Sequence, residues 1–241
     1  MPVFSFSPNG YHPYVRAILV ALKSPHKKSK ECIAEILSEY YNLVQPASAA
    51  SVLNLNDKDI SEFDFKPSWA AIMPWEKKNL DEWCIAHHNS VFMENQPYKR
   101  GVTINDGWAW VGPVSESKLK IEVQRLDEVF NSILRNKYNR HDGNDGDILA
   151  IILVEDDGGW CWQAISGQHR VSVLSGMGIK EVSVRIVRII FRRDVSSWVQ
   201  VKSGLYSEET ALRVFDNVFS GNNFKIAKKW EEYIKNSEFY D

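Results

Sequence analysis

Ile165-Ser-Gly-Gln-His-Arg-Val-Ser-Val-Leu-Ser-Gly-Met-Gly-Ile-Lys-Glu-Val-Ser-Val-Arg-Ile186 reads as a strand running into Gly167, a helix beginning near Gln168, a glycine stop at Gly176 and Gly178, and a second strand. A helix opened by glycine presents unpaired backbone N–H groups and a partial positive charge, which together make a seat for phosphate. Gln168, His169 and Arg170 stand on that seat and can donate side-chain hydrogen bonds to the same anion. Gly167 permits close backbone approach, and the amides of Gln168 and His169 with the Arg170 fork would hold di- or triphosphate oxygens. The plainer reading is a helix N-terminus with Gly167 in the turn and Arg170 in a structural ion pair.

Upstream, Asp147 to Val154 is an apolar β-branched run, Asp156-Asp157-Gly158-Gly159 a turn, and Trp160 to Ile165 a returning strand. Val182 to Phe191 reads as the strand after the helix. Glu116 to Tyr138 is an amphipathic helix with Leu119, Val123, Leu126, Phe130, Ile133 and Leu134 on one face, and Ser115 is its N-cap. Val102 to Val111 reads as strand or hairpin turning at Asn105-Asp106-Gly107. Before it the pattern is helical: Tyr14 to Leu22, Ser29 to Val44, a short helix capped by Ser48, and Asn79 to Glu94. An aromatic-packed loop over 57–78 interrupts these. Two helices follow the last strand, Ser207 to Phe219 and Phe224 to Ile234. The fold class is α+β: a helical N-terminal extension over 1–100, an α/β core over 101–191 and a helical C-terminal segment over 192–241.

Composition narrows the function classes. At 44% hydrophobic and 25% charged residues the chain is ordinary globular protein, and its formal charge of −2 gives no bulk electrostatic drive towards nucleic acid. Cys32, Cys84 and Cys161 show neither metal spacing nor a CxxC pair, as expected of buried thiols in a reducing compartment. With no long apolar run and no charged leader at Met1, the cytoplasm is the expected location. His87, His88 and His141 form no metal-ligand pattern.

The order strand, proline-containing loop, helix, strand, strand, Gly-x-His-Arg helix, strand resembles the ParB/sulfiredoxin-like superfamily. The matching residues are Ser166-Gly167-Gln168-His169-Arg170, Leu174, Gly178 and Val182 to Ile186, with Gly112-Pro113-Val114-Ser115-Glu116 upstream as the proline-plus-acid lead into the first helix. The resemblance covers about ninety residues. Sulfiredoxins carry a cysteine inside the turn, where this chain has Gln168. DNA-partition members bind CTP and add a helical DNA-binding domain, for which the tail after Phe191 is short. The remaining branch resembles the free-serine kinases.

That resemblance implies ATP, or another nucleotide, held with Mg²⁺ over Ser166, Gly167, Gln168, His169 and Arg170; separately, Lys99-Arg100-Gly101 ahead of the first core strand offers Arg100 as a further phosphate contact, the plainer reading being a solvated basic loop. Glu116 would orient an acceptor hydroxyl on a small molecule, and His169 would donate to the transferring phosphoryl group. Kinases of the family place an aspartate where Ser166 stands, and serine is a weak Mg²⁺ ligand. Glu116 is equally suited to the first turn of a helix, and Glu122 reads as a solvent-facing helix charge. Arg185 and Arg188, three apart on a strand, are expected on opposite faces. Trp160 and Trp162 share a strand face, where the expected fate is burial against the N-terminal helices. The alternatives are a non-catalytic nucleotide-binding regulatory module and a DNA-acting nuclease or binding protein.

Overall fold

The computed structural model describes residues 10–55, 61–98, 101–138, 147–222 and 224–237. Arg100 and His141 lie outside the described residues. Ten α-helices and three strands are described, besides short 3₁₀ turns: α1 (Pro13–Lys23), α2 (Ser29–Leu43), α3 (Ala49–Leu53), α4 (Ser61–Asp64), α5 (Leu80–Asn95), α6 (Glu116–Asn136), β1 (Leu149–Val154), β2 (Trp160–Ser166), α7 (Gln168–Gly176), β3 (Arg185–Phe191), α8 (Val199–Lys202), α9 (Glu208–Phe219) and α10 (Ala227–Asn236). The architecture is mixed α+β, with a small mixed sheet of order β2-β1-β3. β1 runs antiparallel to β2 and parallel to β3.

Local chemistry sets the ends of the elements. Ser48 accepts from Ser51 N–H and Ser115 from Lys118 N–H, so both expected N-caps are made. α2 buries Cys32, Ile33, Ile36, Leu37, Tyr40 and Tyr41 along one stripe; α1 and α6 pack on α2, and α7 packs on α1 and α6, in one apolar core that continues to Trp230 and Ile234 of α10. α7 crosses α1 at Gly176, where a Cβ would lie 2.7 Å from Ile18 Cγ2. Only glycine lets the two helices approach that closely.

The hairpin expected over Val102 to Val111 is replaced by a single 3₁₀ turn, Ile104–Asp106. The Asp106 carboxylate accepts from Thr103 N–H at 2.9 Å, and Thr103 Oγ1 accepts from Asn105 N–H at 3.3 Å. These local bonds take up donors that a strand ladder would need; one isolated bridge, Trp108 to Val111, remains. In the aromatic stretch after Asp57, short helices at Ser61–Asp64 and Ser68–Ala70 stand where a loop was expected.

A register shift between Ala150 and Ile151 corrects the arginine phase. Arg185 pairs across from Leu149 and Arg188 from Ile151, so both answer to the same face of β1. Arg185 reaches Asp147 at 3.5 Å, and Arg188 donates to Trp75 O and Glu76 at 2.9 Å each. Among the described residues no helix is long and apolar enough to cross a membrane.

Candidate functional site

β1 and β2 deliver the chain to the turn that opens α7. Gly167 sits there at φ +79°, a conformation L side chains rarely adopt. A Cβ on it would come within 3.1 Å of Ile148 Cα and 3.2 Å of Asp147 O, so the chain's own backbone fills the space that the absent side chain leaves. Ser166 closes β2 and is exposed; Gln168, His169 and Arg170 form the half-buried first turn of α7. Of this turn, His169 reaches the α6 carboxylate at Glu122.

His169 Nε2 lies 3.1 Å from Glu122 Oε2, on a carboxylate with none of its side chain exposed. Glu122 was expected to face solvent and instead lies at the centre of the protein's buried polar network. Lys118 Nζ donates to its Oε1 at 2.7 Å, Arg125 Nη1 to the same oxygen at 3.3 Å, and Tyr14 Oη to Oε2 at 3.1 Å. Lys118, itself 1% exposed, also donates to Asn95 Oδ1 at 3.1 Å. Tyr14 and Tyr41 converge on Ala109 O at 3.0 and 2.8 Å. The network thus ties α1, α2, α5, α6 and α7 to one carboxylate.

Aromatic packing holds the histidine ring. Tyr14 stacks on His169 with ring centres 4.9 Å apart and on Trp110 at 6.1 Å. His12 meets Trp110 edge-on at 6.4 Å and accepts Tyr14 N–H through Nδ1 at 3.2 Å.

The electrostatics follow from burial and charge together. Burial opposes ionisation of Glu122, but Lys118, the His169 hydrogen bond and Arg125 outweigh it and hold the carboxyl well below the usual range. Burial lowers the pKa of His169, and the Glu122 carboxylate offsets only part of that fall. At neutral pH His169 is therefore neutral. An ionised carboxylate can only accept, so Nε2 carries the hydrogen and Nδ1 keeps the lone pair. Burial, with His169 beside it, pushes His12 down to about 3. Burial and the Glu122 charge push Tyr14 and Tyr41 well above the usual phenol range, so both remain donors.

The other acidic candidate lies elsewhere on α6. Glu116 occupies the first turn, 78% exposed and paired with Lys120, which lowers its carboxyl pKa. The carboxylate that His169 meets is Glu122's. A signal for this existed in the sequence. Stepping back from Leu126 by four residues at a time along the apolar stripe reaches Glu122 and then Lys118, an opposite-charge pair in phase with the buried face.

His87 shows a different use of histidine. It stacks between Trp69 and Trp83 at 6.2 and 5.7 Å, and burial pushes its pKa down to about 4. A cleft of about 280 Å³ beside it is lined by Trp69, Cys84, Ile85, His88 and Asn89, none of them in the Glu122 network. Among the described residues, no three His, Cys, Asp or Glu side chains gather where they could hold a metal ion.

Comparison with family models, curated proteins and solved structures finds no match to this chain.

Proposed function

We propose that the chain is a nucleotide-dependent phosphotransferase acting on a hydroxyl-bearing small molecule, built on a core of the ParB/sulfiredoxin-like kind and working in the cytoplasm. The observation that carries this reading is the Glu122–His169 pair at the first turn of α7. A carboxylate that fixes one imidazole nitrogen and leaves the other with a lone pair is the arrangement a general base needs. A helix N-terminus beside it offers backbone N–H groups and a favourable dipole to an anion. The three free cysteines suit a reducing compartment.

In this proposal ATP supplies the terminal phosphoryl group, with its phosphates over Ser166, Gly167, Gln168 and Arg170. His169 Nδ1 takes the acceptor hydroxyl's proton as that oxygen bonds to phosphorus and the bond to the departing diphosphate breaks. Glu122 keeps the ring oriented and stabilises the imidazolium so formed. Glu116, the acid first expected in the base role, belongs instead to the surface of α6 with Lys120. The residues at the turn do not make a protein metal site, so no step runs through a protein-held Mg²⁺; the ion enters as the nucleotide's counter-ion. The test is titration calorimetry with ATP, ADP and CTP, each with Mg²⁺, on the parent chain and on Arg170→Ala. We expect binding by the parent and at least a tenfold loss in the variant. Absence of binding by the parent would refute the proposal, and binding without phosphoryl transfer to any of a panel of hydroxyl compounds would leave a nucleotide-binding module in its place.

A further inference from the structure

The Glu122 carboxylate has no position to spare. Lys118 Nζ and Arg125 Nη1 donate to Oε1, while Tyr14 Oη and His169 Nε2 meet at Oε2, each at 3.1 Å. Four donors fill the roughly four lone-pair positions that an ionised carboxylate offers. Tyr14 and His169 therefore share one oxygen, and the charge that the phenol draws on is charge the imidazole does not receive.

Tyr14 has a second acceptor within reach. Its hydroxyl lies 3.0 Å from Ala109 O, and Tyr41 Oη lies 2.8 Å from the same carbonyl and 3.3 Å from Tyr14 Oη. Each phenol carries a single hydrogen. With Tyr41's on Ala109 O, Tyr14's goes to Glu122, which as a charged acceptor holds it more strongly than a carbonyl does. With Tyr14's turned to Ala109 O, Oε2 is left to His169. The two arrangements differ by rotation of a hydroxyl, and no bond to hydrogen breaks. Both tyrosines are buried, so bulk solvent does not stand in for a partner that turns away.

We infer that Tyr14 and Tyr41 form a two-position hydroxyl switch that sets how much of the Glu122 charge the His169 ring receives. The switch is independent of the phosphotransferase reading; its use in catalysis rests on that reading. There His169 becomes an imidazolium as Nδ1 takes the acceptor hydroxyl's proton, Tyr14 turns to Ala109 O, and Oε2 is given over to the new charge. When the ring loses that proton, Tyr14 turns back. Both tyrosines are positioning residues, acting through Glu122. The other ionisable groups that face His169 are Arg125 of α6, Glu94 of α5 and His12 ahead of α1, and the two arrangements leave them in place.

The test follows the imidazole Cε1–Hε1 resonances of the full chain, carbon-labelled in histidine, from pH 4 to 9, with His169 assigned by its loss in His169→Gln. Tyr14→Phe keeps the ring that stacks on the imidazole and removes the donor, so Oε2 becomes more negative. The His169 midpoint is expected to rise by about one pH unit, the scale of one hydrogen bond to a charged group. The Nε2–H proton should move downfield in the same variant. Tyr41→Phe, which bonds neither Glu122 nor His169, draws Tyr14 to the vacated carbonyl and raises the midpoint less. The double variant matches Tyr14→Phe alone, because Tyr41 acts only through Tyr14. Tyr40→Phe, whose hydroxyl donates to Trp110 O, leaves the midpoint where it was. No nucleotide is needed, so a failed ATP titration does not touch this result. Where transfer is found, the acid limb of kcat moves to higher pH in Tyr14→Phe. A His169 midpoint unmoved in Tyr14→Phe, single-variant shifts that simply add, or an equal shift in Tyr40→Phe overturns the inference. Should Tyr14→Phe fail to fold, Tyr41→Phe decides in its place: a raised midpoint supports the switch and an unmoved one overturns it.

Discussion

Replacing Glu122 by glutamine keeps the side chain's shape and one acceptor oxygen but removes its charge. Lys118, only 1% exposed, is then left as a buried cation with neutral amide oxygens for company. Breaking a buried pair by removing one partner costs about 3–5 kcal/mol, because the remaining charge has lost its compensation. Arg125 adds less to the penalty, being 22% exposed and also in contact with Glu94. For a chain of this size each kcal/mol lowers the melting temperature by about 2–4 °C, so a fall of about 6–20 °C is expected. Urea unfolding followed by far-ultraviolet circular dichroism at pH 7.5 gives the free energy directly. Lys118→Met combined with Glu122→Gln should recover most of the loss, since both charges leave together. Glu116→Gln, on the exposed pair, should not move the midpoint. The parent's acid limb has a definite sign. The folded pKa of Glu122 is depressed, so its contribution is fully present above the unfolded value near 4.5 and is lost as pH falls through the folded value. A loss below about 1 kcal/mol in Glu122→Gln, the size of a surface pair, would refute the reasoning.

The buried histidines should shape stability at milder pH. His12 and His87 have folded pKa values of about 3 and about 4 against 6.5 unfolded, so the folded chain favours their neutral forms. Their contribution is complete above pH 6.5 and declines below it, by about 2 kcal/mol each on reaching pH 5, at about 1.4 kcal/mol per pKa unit. Urea midpoints that stay level from pH 7.5 to 5 would contradict this. Gly167→Ala combines a strained φ of +79° with Cβ contacts of 3.1 and 3.2 Å to backbone. A cost of about 1–3 kcal/mol should appear in the same assay, and an unchanged midpoint would mean that the turn relaxes freely.

How much of this was legible in the chain depended on whether the determining interaction was local. Ser115, Ser48 and the apolar periods of α2, β1 and β2 are read correctly because caps and amphipathic stripes are set by neighbours in sequence, while on α6 the expected face holds except at Leu134, which is 48% exposed, with Ile121 buried in its stead. The stretch Val102 to Val111 misleads for a local reason too: Asp106 folds back on Thr103 and competes with the strand. Of the candidate site, the α7 turn and His169 were in view, but the acid was placed at Glu116 because a proline-led first turn is a visible pattern. Glu122 was passed over because a glutamate inside a helix is ordinarily solvated. What decides its burial are Tyr14, Asn95 and His169, which come from three other helices.

The division is a physical one. Periodicity, caps and glycine turns belong to the backbone's immediate neighbourhood, so the order of elements from α6 to β3 and the helix opening at Gly167 follow from the residues in line. The state of a charge depends on dielectric and partners, which exist only once distant segments meet. Folding made Lys118, Glu122 and His169 one buried unit and left Glu116 in water. It also turned Trp160 and Trp162 outward, where burial against the N-terminal helices was expected, because only the assembled layers determine which side of a sheet the helices cover.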